Sequence, residues 1–269
     1  AATSNTDRRV RLDALFVQET WCVETHTIAV VFKCRIIAHL DCPGMSANLP
    51  ARPIRAVAFD LDGLIFNTEH VFSFAAAQIF ETRNCEMPDD LIRRMMGRRP
   101  PEGMHIMKEA LASEDSIDDL QEECSTRFLG MLDEHLKPMP GAFEMFTTLE
   151  QRSLPKAVAT SSPIRFLNNL MGRFDGLLDR FEFALTAENV EQGKPNPEIY
   201  LKAADRLGVE PSEMLVFEDS EAGTNAASAA GAFVISVPHE HSRCHDFSNA
   251  CRIADTLRDP LIVEVLNVA

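Results

Sequence analysis

Two aspartates stand two apart in "FDLDGLIFNTE" (59–69), directly after the apolar run "IRAVAF". Buried carboxylates repel each other and lose hydration, so Asp60 and Asp62 need a reason to close a core strand. Further along, Thr160 and Ser161 follow "KAVA", Lys194 stands in "GKPNPEIY", and Glu218 and Asp219 follow "MLVF". Asp60, Asp62, Glu218 and Asp219 offer only oxygen, and as a cluster they demand a hard cation. A small set of carboxylates suits Mg2+, which keeps waters and also binds substrate phosphate. Lys194 adds a compact positive charge. Thr160 and Ser161 add hydroxyls and backbone N–H groups near a helix start, which suits an anion. A cation, a lysine and N–H donors around a carboxylate describe phosphoryl transfer. Asp60 would attack phosphorus and form an aspartyl phosphate. Asp62 would protonate the leaving oxygen, then deprotonate the hydrolytic water. A calcium EF-hand does not fit, because Gly63 is at the fourth position of the run and that loop needs glycine at the sixth. A plain strand-ending turn accounts for one aspartate but not for the matching ends of the other strands.

Those residues need a scaffold that brings distant strand ends together. Short apolar runs at 54–59, 156–160, 181–185, 214–217 and 232–237 read as strands. Helical stretches such as 197–208 and 221–231 fall between the later ones. Strands alternating with helices imply an α/β fold, a parallel Rossmann-like sheet covered by helices on both faces. In such sheets ligands bind at the carboxyl ends of the strands, where Asp60, Thr160, Glu218 and Asp219 lie. Between 60 and 156 no strand is evident. Helical patterns instead cover 69–83, 89–97, 102–112 and 116–136, so 67–141 reads as an inserted α-helical cap domain. Its hinges fall near 64–68 and 137–141. The core is then 51–66 plus 142–269. Residues 1–50 read as an extension of unknown role, in which 27–40 could form one or two strands, and Met45 is a candidate start of translation.

The chain of 269 residues is 45% hydrophobic, enough for a packed core, and carries a formal charge of −15. That balance argues against a nucleic-acid or anionic-membrane partner. Seven cysteines without a C-x-x-C pair indicate free thiols in a reducing compartment. No apolar run reaches the ~20 residues of a membrane helix, and no secretory layout is evident, so the expected location is cytoplasmic. The expected partner is a small phosphorylated substrate, with the protein a monomer or weak homo-oligomer.

The motifs "DLDGLIFNTE" (60–69), "ATSS" (159–162), "GKPNPEIY" (193–200) and "FEDSEAG" (217–223) stand in the order and spacing of the haloacid dehalogenase superfamily, which the chain resembles over about 54–240. The resemblance implies Asp60 as nucleophile, Asp62 as general acid and base, and Thr160 and Lys194 on the phosphoryl group. It also implies Mg2+ held by Asp60, the backbone carbonyl of Asp62 and Asp219, with Glu218 assisting. The long gap between Asp60 and Thr160 resembles the subgroup capped after the first motif, with β-phosphoglucomutase and pseudouridine-5′-phosphatase types nearest. The cap string "MMGRR" (95–99) is closer to the second, and places Gly97, Arg98 and Arg99 where they could reach the leaving group. Two departures stand out. Asn67 replaces a frequent aspartate, and Phe72 occupies the place of a mutase histidine, with His70 out of register. A phosphomutase, and then a non-catalytic binding protein, are therefore ranked below a phosphatase of sugar phosphates or nucleoside monophosphates.

Two further groups read as structural. His239, His241, Cys244 and His245 raise the alternative of a transition-metal site, but they match no zinc spacing and H-E-x-x-H is absent, so they read as a surface loop. Met95, Met96, Met104 and Met107 read as cap core or seam.

Overall fold

The structure, a computed structural model, describes residues 49–95 and 100–268. Six parallel strands form one sheet in the order β3-β2-β1-β4-β5-β6. They are β1 (Ala56–Phe59), β2 (Lys156–Ala159), β3 (Phe183–Leu185), β4 (Met214–Glu218), β5 (Phe233–Ser236) and β6 (Arg252–Ile253). The first five fall where the apolar runs place them. β6 is two residues long, too short for any periodic signal.

Strand alternation sorts the core into two layers. Val57, Phe59, Val158, Leu215, Phe217 and Ile235 face one side. There Phe59 meets Phe146 edge-on, ring centroids 5.1 Å apart. Ala58, Ala159, Val216 and Val234 face the other side, against Tyr200, Ala203, Ala226 and Ala227. Small residues on both surfaces let α7 (Glu198–Leu207) and α8 (Glu221–Ala230) pack closely on the sheet. α5 (Ala142–Gln151), α6 (Ile164–Met171) and α9 (Pro260–Leu266) contribute Phe146, Leu167, Leu170 and Val265 to the opposite layer.

Between β1 and β2 the chain forms α1 (Thr68–Thr82), α2 (Leu91–Met95), α3 (Pro100–Leu111) and α4 (Ile117–His135). This is the inserted helical cap. It holds its own apolar cluster, in which Ile79, Phe80, Leu91, Met95, Met104, Met107, Leu120 and Cys124 are buried. The methionines described are thus cap core, as read; Met96 lies outside the described residues. A second stripe, Val71 and Ala75 of α1 with Phe128, Met131 and Leu132 of α4, packs into the sheet-side layer instead.

The two hinge segments are bonded to each other. Met139 N–H donates to the Ile65 carbonyl at 2.8 Å and Asn67 N–H to the Lys137 carbonyl at 3.1 Å. The Asn67 side chain uses both ends, Nδ2 donating to the His135 carbonyl (3.1 Å) and Oδ1 accepting from Lys137 N–H (2.6 Å). Among the described residues no helix is long and apolar enough to cross a membrane. Cys85, Cys124, Cys244 and Cys251 are free thiols.

Candidate active site

β1 sits in the middle of the sheet with β2 and β4 on its two sides, so the chain changes direction at its carboxyl end and leaves a crevice there. Asp60 is the next residue, and its N–H donates to the Phe217 carbonyl of β4 at 3.1 Å. Asp60, Thr160, Glu218 and Asp219 are all buried, at 6%, 0%, 0% and 3% exposure, which is not where unpaired polar groups are found.

Lys194 answers part of that burial. Its Nζ lies 2.5 Å from Asp60 Oδ1, 2.6 Å from Glu218 Oε1 and 3.0 Å from the Ala159 carbonyl. Burial disfavours its charge, but Asp60 and Glu218 together hold the ammonium well above its ordinary range. Glu218 is held on every side. Tyr200 Oη donates to Oε1 at 2.6 Å, while Asp219 N–H and the Ser220 hydroxyl donate to Oε2. Gly223, in the first turn of α8, passes so close that a Cβ there would overlap the Glu218 carboxylate.

Asp62 has its own partners. Its Oδ2 accepts from the Ser162 hydroxyl at 2.7 Å and from the Thr160 hydroxyl at 3.3 Å. Burial pushes its carboxyl up, and hydrogen bonds from Ser162, Thr68 and Thr160 partly offset that. A carboxyl whose proton is held more tightly in this way is suited to act as a general acid. Of the expected hydroxyls, Thr160 faces Asp62; Ser161 is exposed, and Ser162 makes the short contact instead.

One carboxylate oxygen each from Asp60, Glu218 and Asp219 lie within 4.8 Å of one another. Desolvation, and then the repulsion among these neighbours, pushes Asp60 and Asp219 well above the usual carboxylate range; Lys194 offsets part of it. A buried oxygen-only set strained in this way fits a hard divalent cation. Gly63 supports the same edge. Its φ of +72° favours glycine, and an added Cβ would strike the Asp219 carboxylate and His239.

His239 is the main departure from the sequence reading. It is no surface histidine: its side chain is 12% exposed, with Nε2 3.0 Å from Asp219 Oδ2 and 2.5 Å from Glu69 Oε2. Burial lowers its pKa, with Glu69 pulling the other way. The carboxyl of Glu69 is pushed up to about 8, by burial and then by Asp219. Cys244 is exposed and His245 half-buried, as a loop would have them. Beside this group opens a cleft of about 570 Å3, lined by Gly63, Glu69, His70, Phe74, His135 and His239 among others. Gly97, Arg98 and Arg99 lie outside the described residues. Ser162, Tyr200 and Glu69 stood inside the quoted motifs without being given a role, and His239 was read as part of a surface loop.

Residues 57–237 match the haloacid dehalogenase-like hydrolase family, and the chain belongs to it. It is similar to the phosphorylated carbohydrates phosphatase of Thermotoga maritima, 35% identical over 178 residues, which cover 66% of this chain and 82% of that one. A Drosophila melanogaster protein named "probable pseudouridine-5′-phosphatase" is 31% identical over 220 residues, 79% of this chain and 94% of its own. Among solved structures, β-phosphoglucomutase from Clostridium difficile superposes with a TM-score of 0.61 at 24% identity. It covers 80% of this chain and 97% of its own, a likeness of fold alone.

Proposed function

We propose that this hydrolase is a Mg2+-dependent phosphatase of small phosphorylated metabolites, of sugar phosphate or nucleoside monophosphate type. The observation that carries the reading is the pairing of Asp60 with Lys194 while Asp62 faces the hydroxyls of Ser162 and Thr160. Asp60, the Asp62 carbonyl and Asp219 would hold the ion, with Glu218 assisting. When bound, it would supply charge neutralisation for the phosphoryl oxygens.

Asp60 Oδ attacks phosphorus, and the bond to the leaving oxygen breaks as Asp62 gives that oxygen its proton. Asp62, now ionised, takes a proton from water, which attacks the aspartyl phosphate and frees Asp60 and inorganic phosphate. Lys194 and Thr160 hold the phosphoryl oxygens, and Glu218 with Tyr200 keeps Lys194 aimed. The names of the two phosphatase relatives support the substrate class.

Phosphate release from a panel of sugar phosphates and nucleoside monophosphates tests the reading. Activity that survives Asp60→Asn, or that is indifferent to EDTA, would overturn it. A phosphomutase would instead return isomerised sugar phosphate with little free phosphate. Against that, Phe72 is half-buried and packs on the apolar clusters at the place where the resemblance puts a mutase histidine.

A further inference from the structure

The loop after β5 brings a second set of donors to the cap hinge. Glu69 Oε2, Asp219 Oδ2 and His239 Nε2 converge within 4.8 Å of one another. The contact between Glu69 and His239 is close, yet Glu69 Oε2 is buried and makes no hydrogen bond. His241 Nε2 is also buried and has no hydrogen-bond partner. The His241 ring centroid lies 5.9 Å from that of His239 and 5.9 Å from that of His70. Buried polar atoms are nearly always satisfied, so an unpartnered imidazole nitrogen, beside a converging triad whose Glu69 Oε2 makes no hydrogen bond, asks for an occupant.

The donor types say which. Imidazole nitrogen with two carboxylates suits a borderline ion, where an oxygen-only set suits magnesium. Donors at roughly 2.0–2.2 Å from a zinc ion stand about 3.4 Å apart in a tetrahedron, so the 2.5 Å and 3.0 Å separations of His239 Nε2 from Glu69 and Asp219 each need to open by about 1 Å or less. His239 Nδ1 now accepts the His241 N–H at 3.3 Å. With an ion on Nε2, the ring proton belongs on Nδ1, and that long contact gives way. Its loss releases the backbone that carries His241, whose idle Nε2 is the natural fourth donor.

We infer that Glu69, Asp219 and His239, completed by His241, form a binding site for a zinc-class divalent cation, adjoining the oxygen-only Asp60, Glu218 and Asp219 set and sharing Asp219 with it. Glu69 belongs to α1 of the cap, whereas Asp219 and His239 belong to the core. An ion shared among them ties the cap to the core and draws on Asp219, so zinc inhibits turnover.

The test uses the full chain, free of any histidine tag, dialysed against micromolar Zn2+ with Mg2+ in millimolar excess. Wild type is expected to retain about one zinc ion more per chain than His239→Ala or Glu69→Gln. Co2+ in place of Zn2+ should give the strong visible bands of a low-coordinate, nitrogen-ligated site. Asp60→Asn, which abolishes the proposed phosphatase chemistry, is expected to keep the extra ion, so failure of one reading is distinct from failure of the other. Equal zinc in wild type and His239→Ala, or a Co2+ spectrum without those bands, overturns the site. Should the alanine variant not fold, His239→Gln and the wild-type Co2+ spectrum decide it.

Discussion

Lys194 is the residue on which the site's electrostatics turn. It is the one cation within hydrogen-bond reach of both Asp60 and Glu218 among the described residues. Replacing it with methionine leaves two buried carboxylates facing each other. Breaking a buried pair in this way costs about 3–5 kcal/mol, and losing a donor to the reacting group about 10²–10³-fold in kcat. Thermal melts and phosphate-release rates on Lys194→Met measure the two effects separately. Ser162 makes a subtler case. Its hydroxyl favours the ionised form of Asp62 and so holds that pKa down. In Ser162→Ala the pKa rises further, and Asp62 keeps its catalytic proton to higher pH. The alkaline limb of the kcat/KM profile should therefore move upward; a downward move would contradict the role given to Asp62. Asp60, Asp62, Thr160, Lys194 and Asp219 were legible because each sits in a short run whose neighbours betray it, a polar group closing an apolar strand or a lysine before Pro-Asn-Pro. Glu69 and His239 were not, because their chemistry arises only when the cap hinge and the loop after β5 meet.

Elements were legible in proportion to the regularity of their burial. β1, β2, β4 and β5 are buried at every residue, and continuous apolar runs announced them. α5, α6 and α9 were not singled out, although α7 and α8, no longer than α5, were read as 197–208 and 221–231. The cap was read from the missing strand between β1 and β2, yet the working part of its hinge was not visible. Asn67 looked like a change of charge; it is a two-ended clamp across the hinge segments. Asn67→Asp keeps the acceptor and loses the donor, setting a carboxylate oxygen against the His135 carbonyl. The expected cost is about 1–3 kcal/mol, with kcat and KM changing together as for other hinge variants. Thermal denaturation and steady-state rates check both. In α4, burial pushes the Cys124 thiol up to about 12 from an ordinary 9.0. With the folded pKa raised, the stability it contributes is whole below pH 9 and fades between 9 and 12, by up to ~1.4 kcal/mol per pH unit. Cys124→Ala lacks that dependence, so the stability gap between it and wild type should narrow as pH rises from 9 to 11 in denaturant titrations.

At the scale of the molecule, a chain of net charge −15 gathers Asp60, Glu218 and Asp219 at the carboxyl edge of its sheet and answers them with one lysine. Burial and mutual repulsion raise Asp60 and Asp219, so ionising them in the folded state is harder than in the unfolded chain. The sign follows directly. A raised folded pKa gives stability that is present below the unfolded value of 3.8 and is lost as pH rises, so at neutral pH these groups weigh against folding. A cation bound only by the folded state reverses that, by roughly 2.7 kcal/mol at a hundredfold excess over its dissociation constant. Asp219→Asn removes one charge from the cluster and one donor from the ion. In EDTA it should melt above wild type, since the repulsion is relieved. In saturating Mg2+ wild type should rise by several degrees and overtake it, while the variant hardly moves. A wild-type melting temperature identical in EDTA and in Mg2+ would mean that the acidic edge is a static ion-pair network around Lys194, and that no divalent ion completes it.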